Sequence, residues 1–314
     1  MTNAAASAQG PLISVCVPTF KRARLLPRLF AALEKQKCPE GTRFEILVVD
    51  NDPARSAESV VFEEARKIRI PVRYVSEPVQ GFASVRNRII DEAGGRWIAW
   101  IDDDEWPSDL WLNALVNAWR ATGADVVFGP VVRTYPKRLP EWMIKSNILE
   151  GPRLLDGLVS PAEIGSGNFF CEKRLFEKYN VRFSQDFNAG GEDSDLFARI
   201  YRAGARFIAC KDAVVFEELS EDRTRVTWWL RRAFRGGYNH ARIHGLGNQR
   251  ASIHYFAGAL IKVIILSALS IPAALLGCVG VVKVGIPLMA NLGKIAAYGR
   301  DWHGQDSGFR RAAL

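Results

Sequence analysis

Residues 96–105 read RWIAWIDDDE, and the fold turns on how this stretch is read. Ile98, Ala99, Trp100 and Ile101 form an apolar run, and Asp102, Asp103, Asp104 and Glu105 follow at once. A short apolar run bounded by polar residues is the pattern of a buried parallel strand. Open α/β sheets bind ligands beyond the carboxyl ends of their strands. The carboxylates are therefore expected at the mouth of a site. Carboxylates this close resist joint ionisation. A divalent cation relieves that repulsion, and oxygen donors suit Mg²⁺ or Mn²⁺. A cation so held suits a diphosphate. The competing reading is a solvated acidic turn that caps a helix beginning near Ser108.

Working outward, residues 12–18 (LISVCVP) form an apolar, β-branched strand that ends at Pro18 and Thr19. Residues 21–36 carry Leu25, Leu26, Leu29, Ala32 and Leu33 at helical spacing. Residues 44–49 (FEILVV) are a second buried strand running into Asp50, Asn51 and Asp52. Helix is expected over 56–66, strand over 72–75, and helix over 82–93 with Arg86 and Asn87 near its start. Strand 97–101, an amphipathic helix over 110–120 and strand 125–128 follow. Alternation of this kind signals a mostly parallel sheet between helices. Three strand ends, Pro18–Thr19, Asp50 and Asp102–Asp104, are placed to meet one ligand.

From residue 131 to 161 prolines punctuate the chain at 130, 136, 140, 152 and 161, and the pattern predicts a long excursion beside an acceptor groove. A strand resumes at 165–170. Residues 190–195 (GGEDSD) open a helix to about Ala203, where acidic residues also suit the helix dipole. Short strands are expected at 206–209 and 213–216, then a basic, aromatic helix over 226–244. Residues 263–282 carry no charge and match the length of a membrane span, although Pro272, Gly277 and Gly280 interrupt them. One span, a re-entrant hairpin and an interfacial pair all fit. Arginines on the N-terminal side of this segment place the main domain on the cytoplasmic side.

Length and composition agree with this layout. A chain of 314 residues suits one large domain with an appendage, and 48% apolar residues exclude a disordered protein. The net charge of +8 points to an anionic partner. Cys16, Cys38, Cys171, Cys210 and Cys278 are odd in number and scattered, which fits a reducing compartment and neither a disulfide framework nor a zinc site. Residues 1–10 are small and polar, unlike a secretory signal.

Several signatures are absent: no phosphate loop, no G-x-G-x-x-G after the first strand and no G-x-S-x-G elbow. His240 and His244 lack the central Glu of a zinc helix. What the chain does carry, in order, is PTF, VVDND, a helix with Arg86–Asn87, IDDDE and GGEDSD. In this combination it resembles family 2 glycosyltransferases of the GT-A fold over about residues 13–238. The stretches VVDNDP, SVRN, DVVFGPVV, GGEDSDLF and WWLRRAFRGGYNHAR are most similar to the glucosyltransferases of succinoglycan-type exopolysaccharide assembly.

The resemblance implies a set of roles. Pro18, Thr19 and Asp50 hold the nucleobase, Arg86 approaches the nucleotide, and Asp102 and Asp103 complete the nucleotide-sugar contacts. Asp104, with Asp102, matches the D-x-D metal motif for Mn²⁺ or Mg²⁺. Asp193 is the catalytic base, and Glu192 orients the base or the acceptor. Arg231, Arg232 and Arg235 contact diphosphate, or alternatively anionic lipid. A histidine that many relatives place after the late strand is replaced here by Phe216, followed by Glu217, which leaves the third metal ligand open. The implied partners are a UDP-sugar donor, a polyprenyl-diphosphate-linked oligosaccharide acceptor, an anionic membrane surface and other polysaccharide-assembly enzymes, with no nucleic acid. The expected location is the cytoplasmic face of the inner membrane. The expected layout is a disordered N-terminus (1–11), a GT-A domain (12–250), a membrane-associating segment (251–298) and a polar tail (299–314). Two other readings compete: a sugar-1-phosphate nucleotidyltransferase, disfavoured because PTFKRARL has no glycine, and a basic membrane-anchored binding protein.

Overall fold

The computed structural model describes residues 13–135, 138–149, 155–161, 164–165, 167–244 and 249–301. The N-terminus at 1–11, Pro136, Pro152 and most of the tail at 299–314 lie outside the described residues. The chain divides into two compact units. One holds residues 1–134, 152–188 and 192–218; the other holds 135–151, 189–191 and 219–314.

The first unit is built on eight strands: β1 (Ile13–Thr19), β2 (Phe44–Asp50), β3 (Val72–Ser76), β4 (Trp97–Ile101), β6 (Val126–Phe128), β8 (Gly157–Leu158), β9 (Asn168–Glu172) and β10 (Phe207–Ala209). Their order is β3-β2-β1-β4-β9-β6-β10-β8. Strands β3, β2, β1 and β4 are mutually parallel, as are β6 and β10. Strand β9 lies antiparallel between β4 and β6, and β8 is antiparallel to β10. The sheet is thus mostly parallel, with an antiparallel strand in its middle. A second, three-stranded sheet has the order β5-β11-β7, from β5 (Glu105–Pro107), β7 (Val131–Thr134) and β11 (Val215–Glu218).

Alternation along each strand sends side chains to opposite faces, and helices cover both. On one face Val15, Val17, Ile46, Val48, Ala99 and Ile101 pack with α1 (Leu26–Glu34), α2 (Glu58–Ala65) and α4 (Trp111–Thr122). On the other, Cys16, Leu47, Val49, Ile98 and Trp100 pack with α3 (Phe82–Glu92), α6 (Leu175–Lys178) and α7 (Glu192–Arg202). This two-faced burial is why the strands read as continuous apolar runs rather than alternating ones.

Two asparagines, one fully buried at the strand ends and one partly buried at a helix start, fix these elements. Asn168 accepts from Trp111 Nε1 at 2.8 Å and donates to the carbonyls of Ala213 at 2.7 Å and Pro130 at 3.2 Å. Helix α3 has no cap of its own, and Asn188 supplies one from elsewhere in the unit. Its Oδ1 accepts from the amides of Ala83 at 3.0 Å and Ser84 at 3.2 Å. Asn188→Ala is expected to cost about 1 kcal/mol, the usual value of a lost N-cap, read as a lower urea midpoint at unchanged slope.

The second unit contains α5 (Glu141–Ser146), α8 (Val226–His244), α9 (Gln249–Ala274) and α10 (Gly277–Asp301). Helices α8 and α10 touch backbone to backbone. A β-carbon at Gly237 would sit 1.8 Å from the Ala290 carbonyl oxygen, and one at Gly293 would sit 2.0 Å from that of Phe234. The uncharged run 263–282 is not one helix, so a single span over those residues is excluded. Just past Pro272 the helix closes in a tightened last turn, with Leu275 N donating to Pro272 O and Leu276 N to Ala273 O. By length and composition, Ile253–Ala274 and Gly277–Gly299 could each cross a membrane.

Candidate active site

The site lies at the carboxyl ends of β1 and β4. Past β1 the chain takes a left-handed step at Lys21, φ +56°. Arg22 follows, and its guanidinium lies 3.2 Å from Asp103 and 3.0 Å from Asp104. Thr19 Oγ1 donates to Asp103 Oδ2 at 2.7 Å. Burial pushes the Asp103 carboxyl up to about 7, against the pull of Arg22 and Thr19.

Asp102 faces other charges. Desolvation lifts its carboxyl to about 6; Arg86 opposes the rise, while Asp104, Asp193 and Glu217 add to it. Side chains far apart in sequence thus lie near enough to act on the Asp102 charge. Glu105 is buried, and its Oε2 accepts from the Asp102 amide at 3.1 Å. Its carboxyl is raised well above the ordinary value, by burial first and then by Asp102. Strand pairing sets Glu105 opposite Glu217, which also meets Arg133 at 3.6 Å. Phe216 is no ligand: it stacks on Trp106 at 5.9 Å.

Helix α7 brings in Glu192 and Asp193. Glu192 is 3% exposed and Arg86 is 5% exposed, and they form an ion pair at 3.1 Å. Arg86 also lies 5.5 Å from the ring centres of Trp100 and Phe183. Burial works against the Arg86 charge, and Glu192, Asp193, Asp102 and Glu105 outweigh it, so its pKa is raised. Glu192 is pushed up to about 7 by burial, with Arg86 pulling the other way. The buried pair fixes the start of α7. Asp193, next in the chain, is only half-buried, and its Oδ1 accepts from the Ser194 amide at 2.6 Å.

Asp50 is placed differently. It is fully buried, with Oδ1 accepting from Asp52 N at 2.9 Å and Oδ2 from Ala57 N at 2.9 Å and Tyr74 Oη at 3.0 Å. Three of its roughly four acceptor positions are thereby used. Pro18 is half-buried beside Thr19. Arg231, Arg232 and Arg235 are exposed on α8, in the other unit. Arg22 was not singled out by the sequence reading. The only signal for it was a basic loop directly after a strand end.

Among the described residues no three His, Cys, Asp or Glu side chains converge closely enough to hold a metal ion as they stand. The donors fit a hard cation in kind, since Asp102, Asp104 and Glu217 offer only carboxylate oxygens and repel one another.

Comparison with known proteins identifies the family and the fold. The family described as Glycosyl transferase family 2 matches residues 14–193. The succinoglycan biosynthesis protein ExoM of Rhizobium meliloti (strain 1021) is 30% identical over 243 residues, 74% of this chain and 77% of that protein. The GalNAc(5)-diNAcBac-PP-undecaprenol beta-1,3-glucosyltransferase of Campylobacter jejuni is 26% identical over 204 residues, 63% of this chain and 62% of that one. Among solved structures, the mannosyltransferase PcManGT of Pyrobaculum calidifontis, in complex with GDP-Man and Mn²⁺, superposes with a TM-score of 0.59 at 22% identity, covering 92% of this chain and 88% of that one. S. aureus TarS 1–349 in complex with UDP gives 0.54 at 15% identity, covering 93% and 92%. An α/β sheet with carboxylates from two strand ends and a helix start, over a stretch that matches the family for most of the first unit, leads to one conclusion: the chain belongs to glycosyltransferase family 2 and is a glycosyltransferase of the GT-A fold.

Proposed function

We propose that this chain is an inverting transferase that moves a hexose, glucose foremost, from a UDP-sugar to a lipid-linked saccharide. Its setting is the cytoplasmic face of the membrane, and its pathway is the assembly of an exopolysaccharide or another cell-surface polysaccharide. The observation that carries the reading is the buried Arg86–Glu192 ion pair, which fixes the start of α7 and with it Asp193, in the same unit as the Asp102–Asp104 strand end. The ExoM relative supports the exopolysaccharide setting, the Campylobacter relative the lipid-linked acceptor and the UDP complex of TarS the nucleotide.

In this reading the acceptor hydroxyl attacks the anomeric carbon while Asp193 takes its proton. The bond from that carbon to the diphosphate oxygen breaks, UDP leaves, and the anomeric centre inverts. Glu192, locked by Arg86, holds the start of α7 and with it the base. Thr19, Pro18 and Asp103 line the nucleotide side, and Asp50 braces the loop beneath the base. Asp104 and Asp102 would hold Mn²⁺ or Mg²⁺, which neutralises charge on the departing diphosphate when bound. Arg231, Arg232 and Arg235 would meet phosphate oxygens, of the donor diphosphate or of the lipid surface that carries the acceptor, where bidentate guanidinium contacts are strong. The transferase domain is taken as 12–250 and the membrane segment as 251–298.

UDP release from a panel of sugar nucleotides tests the reading. UDP-glucose is expected to be turned over fastest, with activity lost on chelation and restored by Mn²⁺ or Mg²⁺. Activity that survives the chelator removes the metal from the scheme. Absence of turnover with every donor removes the donor class.

A further inference from the structure

Helices α9 and α10 form an antiparallel hairpin. They join through Leu275 and Leu276, and near their far ends Tyr298 meets Phe256 at 5.4 Å and Tyr255 at 6.3 Å. The tip is apolar and open: Leu275 is 87% exposed and Leu276 73%. Ile271 and Ile264 continue this face along α9, both largely exposed. A contiguous apolar surface of this kind marks an interaction site.

We infer that this hairpin enters one leaflet of an anionic bilayer tip first and returns, without crossing it. The inference rests on the membrane association proposed above and concerns its geometry. Charge placement decides it. The nearest charges to the tip are Lys262 on α9 and Lys283 on α10. At 1.5 Å per residue, residues 263–274 rise about 18 Å and residues 277–282 about 9 Å. One leaflet of hydrocarbon is about 15 Å deep, half of the roughly 30 Å core. The uncharged part of the hairpin therefore reaches about the depth of one leaflet along α9 and less along α10, well short of two leaflets.

Each helix is long enough for a full crossing, but both would then have to take a lysine, Lys262 and Lys283, into the membrane. Two crossings would also set two bare leucines in water on the far side and hold Lys283 about 9 Å inside the hydrocarbon. Helix α8 marks the surface level. Leu230 lies against Gly285, close to Lys283 in the chain, so Trp228, Trp229, Arg231 and Arg232 stand beside the point where α10 leaves the lipid. Trp228 and Trp229 pack edge to face at 5.0 Å, and the Arg232 guanidinium lies 5.4 Å from the Trp228 ring centre. Indole rings prefer the membrane–water boundary, and arginine and lysine complement anionic headgroups there. A second copy of the chain docked on the tip would leave this basic collar without counter-charge.

Cys278 sits at the exposed tip, whereas Cys16, Cys171 and Cys210 are buried. In the full chain carrying Cys38→Ser, a membrane-impermeant maleimide reads the tip directly, because a thiol in hydrocarbon does not ionise to the reactive thiolate. Expected is no labelling of Cys278 in spheroplasts or in inverted membrane vesicles, and full labelling after detergent. An added Glu63→Cys reports the cytoplasmic side and labels in inverted vesicles only. Labelling of Cys278 from the outside means the hairpin crosses; labelling in inverted vesicles without detergent means the tip is not in lipid. Either result overturns the inference. Leu275→Lys with Leu276→Lys is expected to shift the protein at least tenfold from the membrane to the soluble fraction, with UDP-glucose hydrolysis unchanged; retention on the membrane overturns it as well. The labelling uses no substrate. A chain that releases no UDP therefore sinks the functional reading and leaves this one standing.

Discussion

Asp193→Asn is expected to lower sugar transfer by ~10²–10⁴-fold, the usual contribution of a positioned general base. Asparagine keeps the size of the side chain and can still accept from the Ser194 amide at the start of α7, so the fold survives. It loses only the basic oxygen. It also removes one negative charge from the group that includes Asp102. Donor binding is accordingly expected to hold or tighten while transfer collapses. Transfer measured from UDP release, with UDP affinity from calorimetry, separates the two effects. Near-normal transfer would remove Asp193 from the mechanism. Weaker UDP binding alongside lost transfer would make it a binding residue instead.

Arg86→Met is expected to destabilise the protein by about 3–5 kcal/mol, the range for removing one partner of a buried ion pair. Glu192 would then be left 3% exposed without its guanidinium. The pH dependence carries a second signature. In the intact chain Glu192 has its folded pKa raised to about 7 even with Arg86 opposing the rise. A carboxyl with a raised folded pKa favours the fold below its unfolded value, and that advantage is lost as pH rises through the folded pKa. Without Arg86 the folded pKa climbs further. The loss then continues to higher pH, and the stability gap between variant and parent widens from pH 5.5 to pH 8. Adding Glu192→Leu removes the stranded carboxyl and is expected to restore most of the stability without restoring transfer. Urea unfolding of the single and double variants at both pH values checks this. A gap independent of pH would mean that the loss is one of packing alone.

The regular part of the sheet could be read from the residues because burial on both faces writes itself locally. ISVCVPT is mostly apolar and WIAWI wholly so, and the helices between carry apolar stripes at their own period. Strand β9 was legible as a strand but not as an antiparallel insertion, since its direction is set by partners tens of residues away. Strand β5, the three residues EWP, gives no periodic signal and forms only because β11 offers it an edge. In the site, the carboxylates announced themselves by their clustering. The Arg86–Glu192 pair did not, because nothing in either neighbourhood names the other. The burial of Asp50 beneath Tyr74 and Ala57 was equally hidden. In the C-terminal helices composition marked the apolar run, while the break at Leu275 emerges from where the last helical turn tightens. Family membership leaves no room for the nucleotidyltransferase or the binding-protein alternatives.

The position of β9 bears on how the chain is made. When the ribosome has released β1 to β4, one side of β4 still lacks its neighbour, and that neighbour arrives roughly 70 residues later. At about 5–20 residues per second the nascent polypeptide carries a bare, tryptophan-rich strand edge for several seconds. During that interval WIAWI is a template for wrong pairing. Chaperone dependence during biosynthesis should therefore centre on this interval, well before any apolar helix emerges.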